Sequence, residues 1–134
     1  MKSYTDLEQS KKLAEFLPLE SADMHYSKDF DGSWFVDLAE YTSVKIPKYV
    51  SNVEEHLLPC WSLAALLDVL PNNKHISTSV SRGGWQIEPI NYLPNIWWCE
   101  YENDENLTEF NVSADNSVDA AFKMIIKLHE QKLL

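Results

Sequence analysis

Nucleophilic and metal-binding side chains are few and widely spaced in this sequence. The four histidines are His25, His56, His75 and His129. None of them stands at metal-ligand spacing from another histidine or from a cysteine, so the sequence predicts no metal site and no cofactor. Cys60 supports a nucleophile hypothesis, because a helix N-terminus beside it would lower the pKa of the thiol. Its neighbours Pro59 and Trp61 favour burial instead, and we identify no catalytic residue from the sequence.

Acidic residues dominate the charge of the chain. Asp and Glu number 21 against 11 Lys and Arg, the net charge is -10, and Arg82 is the only arginine. Phosphate backbones and anionic membranes are bound by clusters of Lys and Arg, so we predict neither nucleic acid nor a membrane as partner. Two interpretations of the charge stay open. It keeps the protein dissolved, or it makes the protein a DNA mimic or a ligand for a basic partner.

Seven acidic residues and no basic one lie between Glu100 and Asp119. A calcium loop would need a glycine at its sharp turn and a terminal glutamate at a fixed offset, and residues 102–106 have neither. We interpret this stretch as a solvated hairpin tip.

Two adjacent tryptophans, Trp97 and Trp98, form the best candidate for a partner surface. Neighbouring residues of a strand point to opposite faces, so the two indoles cannot both enter one core. The one that faces outward is an interaction anchor, or the loop of residues 89–95 covers it.

Three helices are predicted by the apolar periodicity. The first follows a capping-box pattern in which Thr5 is the N-cap and Glu8 reaches back. The second covers residues 60–70, between Pro59 and Pro71, and is so apolar that we expect it to be the central buried helix.

The third helix begins after one of several possible N-caps in residues 113–117. Its predicted buried face consists of Val118, Ala121, Phe122, Ile125 and His129. The charge order along this helix, acidic first and basic last, suits the helix dipole.

Strands are predicted by alternation and by turn signals. They cover residues 24–26 and 33–38 around an Asp-Gly turn, and then residues 75–80, 85–88, 96–101 and 107–112. Residues 43–46 are interpreted as an edge strand or as an extended connector. The predicted fold is α+β, an antiparallel β-meander of three to five strands with about three helices packed mainly on one face. We expect one globular domain over residues 1–134.

The N-terminus leads into an amphipathic helix, and no apolar run reaches membrane-spanning length. We therefore expect a cytoplasmic protein in which Cys60 and Cys99 are reduced, buried thiols.

Several stretches together resemble small uncharacterised proteins of bacterial prophages and mobile elements. They are residues 12–18 with 20–24, residues 59–67 with Leu70 and Pro71, and residues 118–121. The resemblance implies an accessory protein of a mobile element, and it carries over no activity and no site residues.

Three hypotheses for the function follow. The first is a non-enzymatic accessory protein that acts by binding another protein, which rests on the acidity, the aromatic sheet and the missing catalytic signature. The second is a small enzyme whose site is assembled from Cys60, His25 or His75 and dispersed carboxylates. The third is a self-associating structural component. An enzyme is the less favoured class.

Overall fold

A computed structural model describes residues 2–37, 57–83, 86–88, 91–92 and 96–134. The predictions for residues 43–46, for His56 and for most of the 89–95 loop lie outside the described residues. The chain divides into two compact units, Tyr4–Ala65 and Leu66–Leu134, and the second also includes Lys2 and Ser3. Helices and antiparallel sheets occur together, so the α+β class is confirmed. One domain over residues 1–134 stays a prediction.

The described part of the first unit contains a three-stranded antiparallel sheet and a helix. Its elements are α1 (Leu7–Ala14), a 3-10 turn (Leu19–Ser21), β1 (Met24–Lys28), β2 (Trp34–Asp37) and β3 (Leu57–Cys60). The strand order is β2-β1-β3. Met24, Tyr26 and Cys60 form a buried cluster on one face of this sheet, and Leu7 of α1 packs against it. The predicted hairpin is thereby confirmed, with β3 as an additional strand.

Helix α1 begins one residue later than its sequence pattern predicts. Asp6 is the N-cap, since its carboxylate accepts the Gln9 backbone N–H at 2.8 Å and the Gln9 side chain accepts the Asp6 N–H at 3.1 Å. The prediction of Thr5 as N-cap with Glu8 is therefore wrong. The Thr5 hydroxyl is buried and lies 2.7 Å from the Ser10 hydroxyl, so it is used inside the fold instead.

Cys60 ends a strand and does not open a helix. Pro59 lies in β3 at the edge of the described sheet, where a residue without an N–H is tolerated. The following helix, α2, covers Leu63–Val69. The Ser62 hydroxyl accepts the Ala65 backbone N–H at 3.2 Å, which is the usual bond of an N-cap side chain.

The apolar stripe of α2 is only partly covered. Leu66 and Leu70 are buried, as predicted, but Leu67 is 42% exposed and Ala64 is also exposed. The buried face is therefore narrower than the leucine spacing suggests.

The described part of the second unit contains a second three-stranded antiparallel sheet, a short two-stranded ribbon and a helix. Its elements are β4 (Ile76–Gly83), β5 (Gln86–Glu88), β6 (Asn91–Tyr92), β7 (Ile96–Asn103), β8 (Thr108–Ala114) and α3 (Ser117–Glu130). The sheet order is β4-β7-β8, and β5 pairs with β6 alone. The predicted strand at 85–88 therefore belongs to the ribbon, and the predicted 89–95 loop contains β6.

Helix α3 packs against all three strands of this sheet. Asn116 is its N-cap and accepts the Asp119 N–H at 2.8 Å. The buried residues of the helix are Ser117, Val118, Ala120, Ala121, Met124, Ile125 and Leu128. Phe122 is only half-buried and His129, in the last turn, is exposed, so the predicted face is wrong at these two positions.

None of the helices in the described residues is both long and apolar enough to cross a bilayer.

Candidate functional site

The register of the β4-β7-β8 sheet places the two adjacent tryptophans on opposite faces. Trp97 pairs with Ala114 on the face of the sheet that α3 covers. Trp98 pairs with Ser113 on the opposite face. Both indoles are half-buried. The expectation that only one of them points toward the helix is confirmed.

The face that carries Trp98 is otherwise polar and exposed. We call it the glutamate face, and its residues are Ser77, Ser79, Ser81, Trp98, Glu100, Glu102, Glu109, Asn111 and Ser113. All except Trp98 are exposed. Strand alternation explains the composition, because the buried Cys99 and Tyr101 between these positions point toward the helix side.

Two carboxylates stand directly opposite each other on the glutamate face. Glu102 of β7 pairs in register with Glu109 of β8, and Glu100 lies two residues along β7 on the same face. None of the three forms an ion pair with any described residue. Like charges in directly opposite positions destabilise a sheet. Folding alone therefore does not favour this arrangement.

Lysines of α3 are engaged elsewhere. The ammonium of Lys127 lies 5.1 Å from the ring centre of Phe110, which stacks on Tyr101 on the helix side of the sheet. The ammonium of Lys123 donates to the backbone carbonyl of Ser113 at 2.9 Å. Within the described residues, the negative potential of the three glutamates is thus not cancelled by a paired cation.

Trp98 gives the glutamate face an apolar end. Its Nε1 is enclosed and finds no hydrogen-bond acceptor among the described residues. An enclosed donor without an acceptor costs about 1–3 kcal/mol. This cost offsets part of the stabilisation that the half-buried indole ring contributes to the fold.

Cys60, the predicted candidate nucleophile, belongs to a buried network. Its sulfur lies 3.7 Å from the Thr5 hydroxyl, and the Tyr26 hydroxyl donates to the Thr5 carbonyl at 2.7 Å. The Thr5 backbone N–H in turn donates to the Trp61 carbonyl at 2.9 Å. Burial raises the pKa of the Cys60 thiol despite hydrogen bonds that act in the opposite direction, and burial also raises the pKa of Tyr26. This network ties the N-terminal segment to β3 and leaves the thiol neutral.

The histidines do not complete a site with this thiol. His25 pairs with Pro59 while Met24 pairs with Cys60, so the imidazole and the thiol lie on opposite faces of their sheet. His25 is buried, and its Nε2 lies 4.0 Å from a carboxylate oxygen of Asp37.

His75, in the second unit, is exposed between two carboxylates. Its Nδ1 lies 3.3 Å from Asp104 and its Nε2 lies 3.6 Å from Glu105. The Asp104 backbone N–H also donates to the His75 carbonyl at 3.1 Å. The imidazole therefore connects the start of β4 with the β7–β8 turn at the protein surface. This arrangement is a surface contact of the hairpin tip.

No group of three or more His, Cys, Asp or Glu side chains in the described ranges is arranged to hold a metal ion.

No protein-family model, curated protein or solved structure matches the chain. These comparisons therefore contribute nothing to a functional assignment.

The sequence indicates Trp97 or Trp98 as the outward-facing residue, but it does not single out Glu100, Glu102 and Glu109 within the acidic run. Their signal was present, because Glu100 and Glu102 are separated by the strand period of two. Without the register, however, the pairing of Glu102 with Glu109 across the turn is not visible.

Proposed function

We propose that this chain is a non-enzymatic accessory protein that binds a basic region of another protein through the glutamate face. The observation that carries the proposal is the pairing of Glu102 with Glu109 on an exposed sheet surface. A partner that places Lys or Arg side chains between these carboxylates would turn a repulsion within the free protein into an attraction in the complex. The net charge of -10 would guide such a partner during its approach.

Trp98 supports the same proposal. Interfaces concentrate their binding energy in aromatic and arginine side chains at their centre. A half-buried indole at one end of three glutamates would serve as the apolar contact beside the charged one. Trp97 is on the helix side and takes no part.

The proposal also includes the biological setting and the location of the protein. The resemblance to prophage and mobile-element proteins favours an accessory role for such an element. Both cysteines are free and buried, which agrees with a reducing cytoplasm as the location. Self-association through the glutamate face is disfavoured, because two copies would bring six glutamates together.

The test is affinity capture with the purified protein from cells that naturally carry it, at about 150 mM salt. The informative variant replaces all three glutamates, E100Q/E102Q/E109Q. The matched control, E15Q/E20Q/E130Q, removes the same number of charges from exposed positions elsewhere. We expect a partner that is retained by the control, lost by the first variant and released by high salt.

Two results would contradict the proposal. One is a partner retained equally by both triple variants, since the glutamate face would then be irrelevant to it. The other is light scattering that shows a stable oligomer dissociated by E100Q/E102Q/E109Q, which would favour a structural, self-associating role.

A further inference from the structure

Phe30 is an aromatic side chain held entirely in solvent. It lies in the turn between β1 and β2, and its exposed fraction of 109% is the largest among the exposed large apolar residues of the described chain. Scattered apolar residues on a surface are ordinary, but a phenylalanine at the very tip of a hairpin makes no use of its ring within its own unit.

The turn below Phe30 is fixed by several hydrogen bonds. The Asp29 N–H donates to the Ser33 carbonyl at 2.8 Å, and the Gly32 N–H donates to the Asp29 carbonyl at 3.0 Å. The Phe30 N–H is bound by the Asp29 carboxylate at 2.7 Å, and the Ser33 N–H is bound by the Asp31 carboxylate at 2.9 Å. Gly32 has φ +85°, a conformation that favours glycine. The ring is therefore presented on a preorganised loop, which lowers the entropic cost of binding it.

Aspartates flank Phe30 on both sides along the chain. Hydrogen bonds from Ser33 lower the pKa of Asp31, so this side chain is ionised at neutral pH. Lys28, the last residue of β1, borders the turn: its ammonium lies 5.7 Å from the centre of the Trp34 ring, and its Cε lies 3.9 Å from the position that a Cβ at Gly32 would take. The tip thus combines one apolar side chain with two negative charges, Asp29 and Asp31, against the single positive charge of Lys28, and it is acidic on balance.

We infer that Phe30 is a binding anchor that enters an apolar pocket of another protein, and that the rim of this pocket carries Lys or Arg. The chemistry of the pocket follows from the tip, since the ring needs an apolar floor and the two aspartates need cations around it. A second copy of this chain does not fit, because its net charge is -10 and its own tip is acidic. An anionic bilayer is excluded by the same repulsion.

This inference is independent of the glutamate face. It concerns the first unit, whereas the glutamate face lies in the second, and the two surfaces are tested by separate variants. If only one of the two proposals fails, the other is unaffected.

The experiment places the photoreactive phenylalanine analogue p-benzoylphenylalanine at position 30 of the full chain, in cells that naturally carry the protein. The control places the same probe at Phe35, which is 50% exposed on β2. We expect a protein adduct that forms from position 30 and not from position 35. Mapping should put the attachment in an apolar pocket bordered by Lys or Arg.

The identified partner is then purified and titrated with F30S, F30L and F35T. F30S should weaken binding about 30-fold or more, as the loss of an anchor does, while F30L retains part of the affinity and F35T stays within about threefold of the natural chain. Unchanged urea unfolding of F30S would show that the fold is intact. Absence of an adduct, an adduct with a second copy or with lipid, or equal binding by F30S would overturn the inference.

Discussion

Replacing Glu109 by glutamine should stabilise the folded protein, because it removes one of two carboxylates that face each other across β7 and β8. The partner in the pair is Glu102. Side chains in directly opposite positions have Cβ atoms about 5 Å apart. Two unit charges about 6 Å apart in water repel by about 0.7 kcal/mol. Exposure and side-chain motion reduce this value, so we expect a gain of about 0.5 kcal/mol in the free energy of unfolding, within the range measured for cross-strand pairs.

Urea unfolding at low and high salt measures this gain. With a slope of about 1–3 kcal/mol per molar urea, the midpoint of E109Q should rise by about 0.2–0.5 M at about 10 mM salt. At about 1 M salt the screening length falls to about 3 Å, and the difference should largely disappear. The control E20Q alters an exposed glutamate outside the sheet and should leave the midpoint nearly unchanged.

A double-mutant cycle separates the pair from general charge reduction. E102Q should give a similar gain, and E102Q/E109Q should give clearly less than the sum, because either single change already removes the repulsion. If E109Q is neutral or destabilising at low salt, or if its gain persists at about 1 M salt, the two carboxylates do not repel each other as argued. A gain in stability together with a loss of partner binding would connect this pair with the proposed function.

Three further outcomes are expected. T5V should lower the free energy of unfolding by about 1–3 kcal/mol in urea titrations, because the buried Trp61 backbone N–H loses the Thr5 hydroxyl as its hydrogen-bond acceptor. A loss under about 0.5 kcal/mol would contradict this role of the Thr5 hydroxyl. S33A should raise the pKa of Asp31 toward its ordinary value in an NMR titration of the carboxyl carbon. Because the pKa of Asp31 is lower in the folded than in the unfolded state, this carboxylate stabilises the fold at pH values above its unfolded pKa, and the stabilisation is lost as the pH falls through the folded pKa. An unchanged titration of Asp31 in S33A would contradict the role given to the Ser33 hydrogen bonds. Both thiols should react slowly with a disulfide reagent at about pH 8 in the native protein and rapidly in concentrated urea. The reason is that both are buried, and burial raises the pKa of Cys99 to about 12. Rapid labelling of the native protein would contradict this burial.

The parts of the fold that sequence predicts well are those in which one periodicity dominates. Strand β8 alternates between half-buried and exposed residues along its whole length, as its sequence predicts. Helix α3 has a clear N-terminal cap and one buried face, and the prediction of that face is wrong only at Phe122, which is half-buried, and at His129, which is exposed. Local pattern and tertiary packing agree in these two elements, so local reasoning is sufficient.

Prediction fails where a residue is used by a distant part of the chain. Thr5 fits a capping box, yet its hydroxyl accepts the N–H of Trp61 and the cap is Asp6. Pro59 fits the first turn of a helix, yet it lies in strand β3, which pairs with β1 at the edge of the described sheet. Both local signals are physically sound, and tertiary hydrogen bonds override them. The register that sets Glu102 against Glu109 is likewise a non-local fact.

Both proposals depend on separating side chains that stabilise the fold from exposed side chains that do not. Cys60 was the obvious chemical candidate, but its contacts with Thr5 and the burial of its sulfur are fully explained by the packing of the first unit. Glu109 and Phe30 have no comparable explanation, since one repels its cross-strand neighbour and the other leaves its ring in water. Some exposed residues lower the stability of the free protein or contribute nothing to it, although hydrogen bonds hold the backbone beneath them in place. Contacts with such residues can add the most to the free energy of binding a partner. The two surfaces therefore deserve mutagenesis before any cysteine or histidine of the chain.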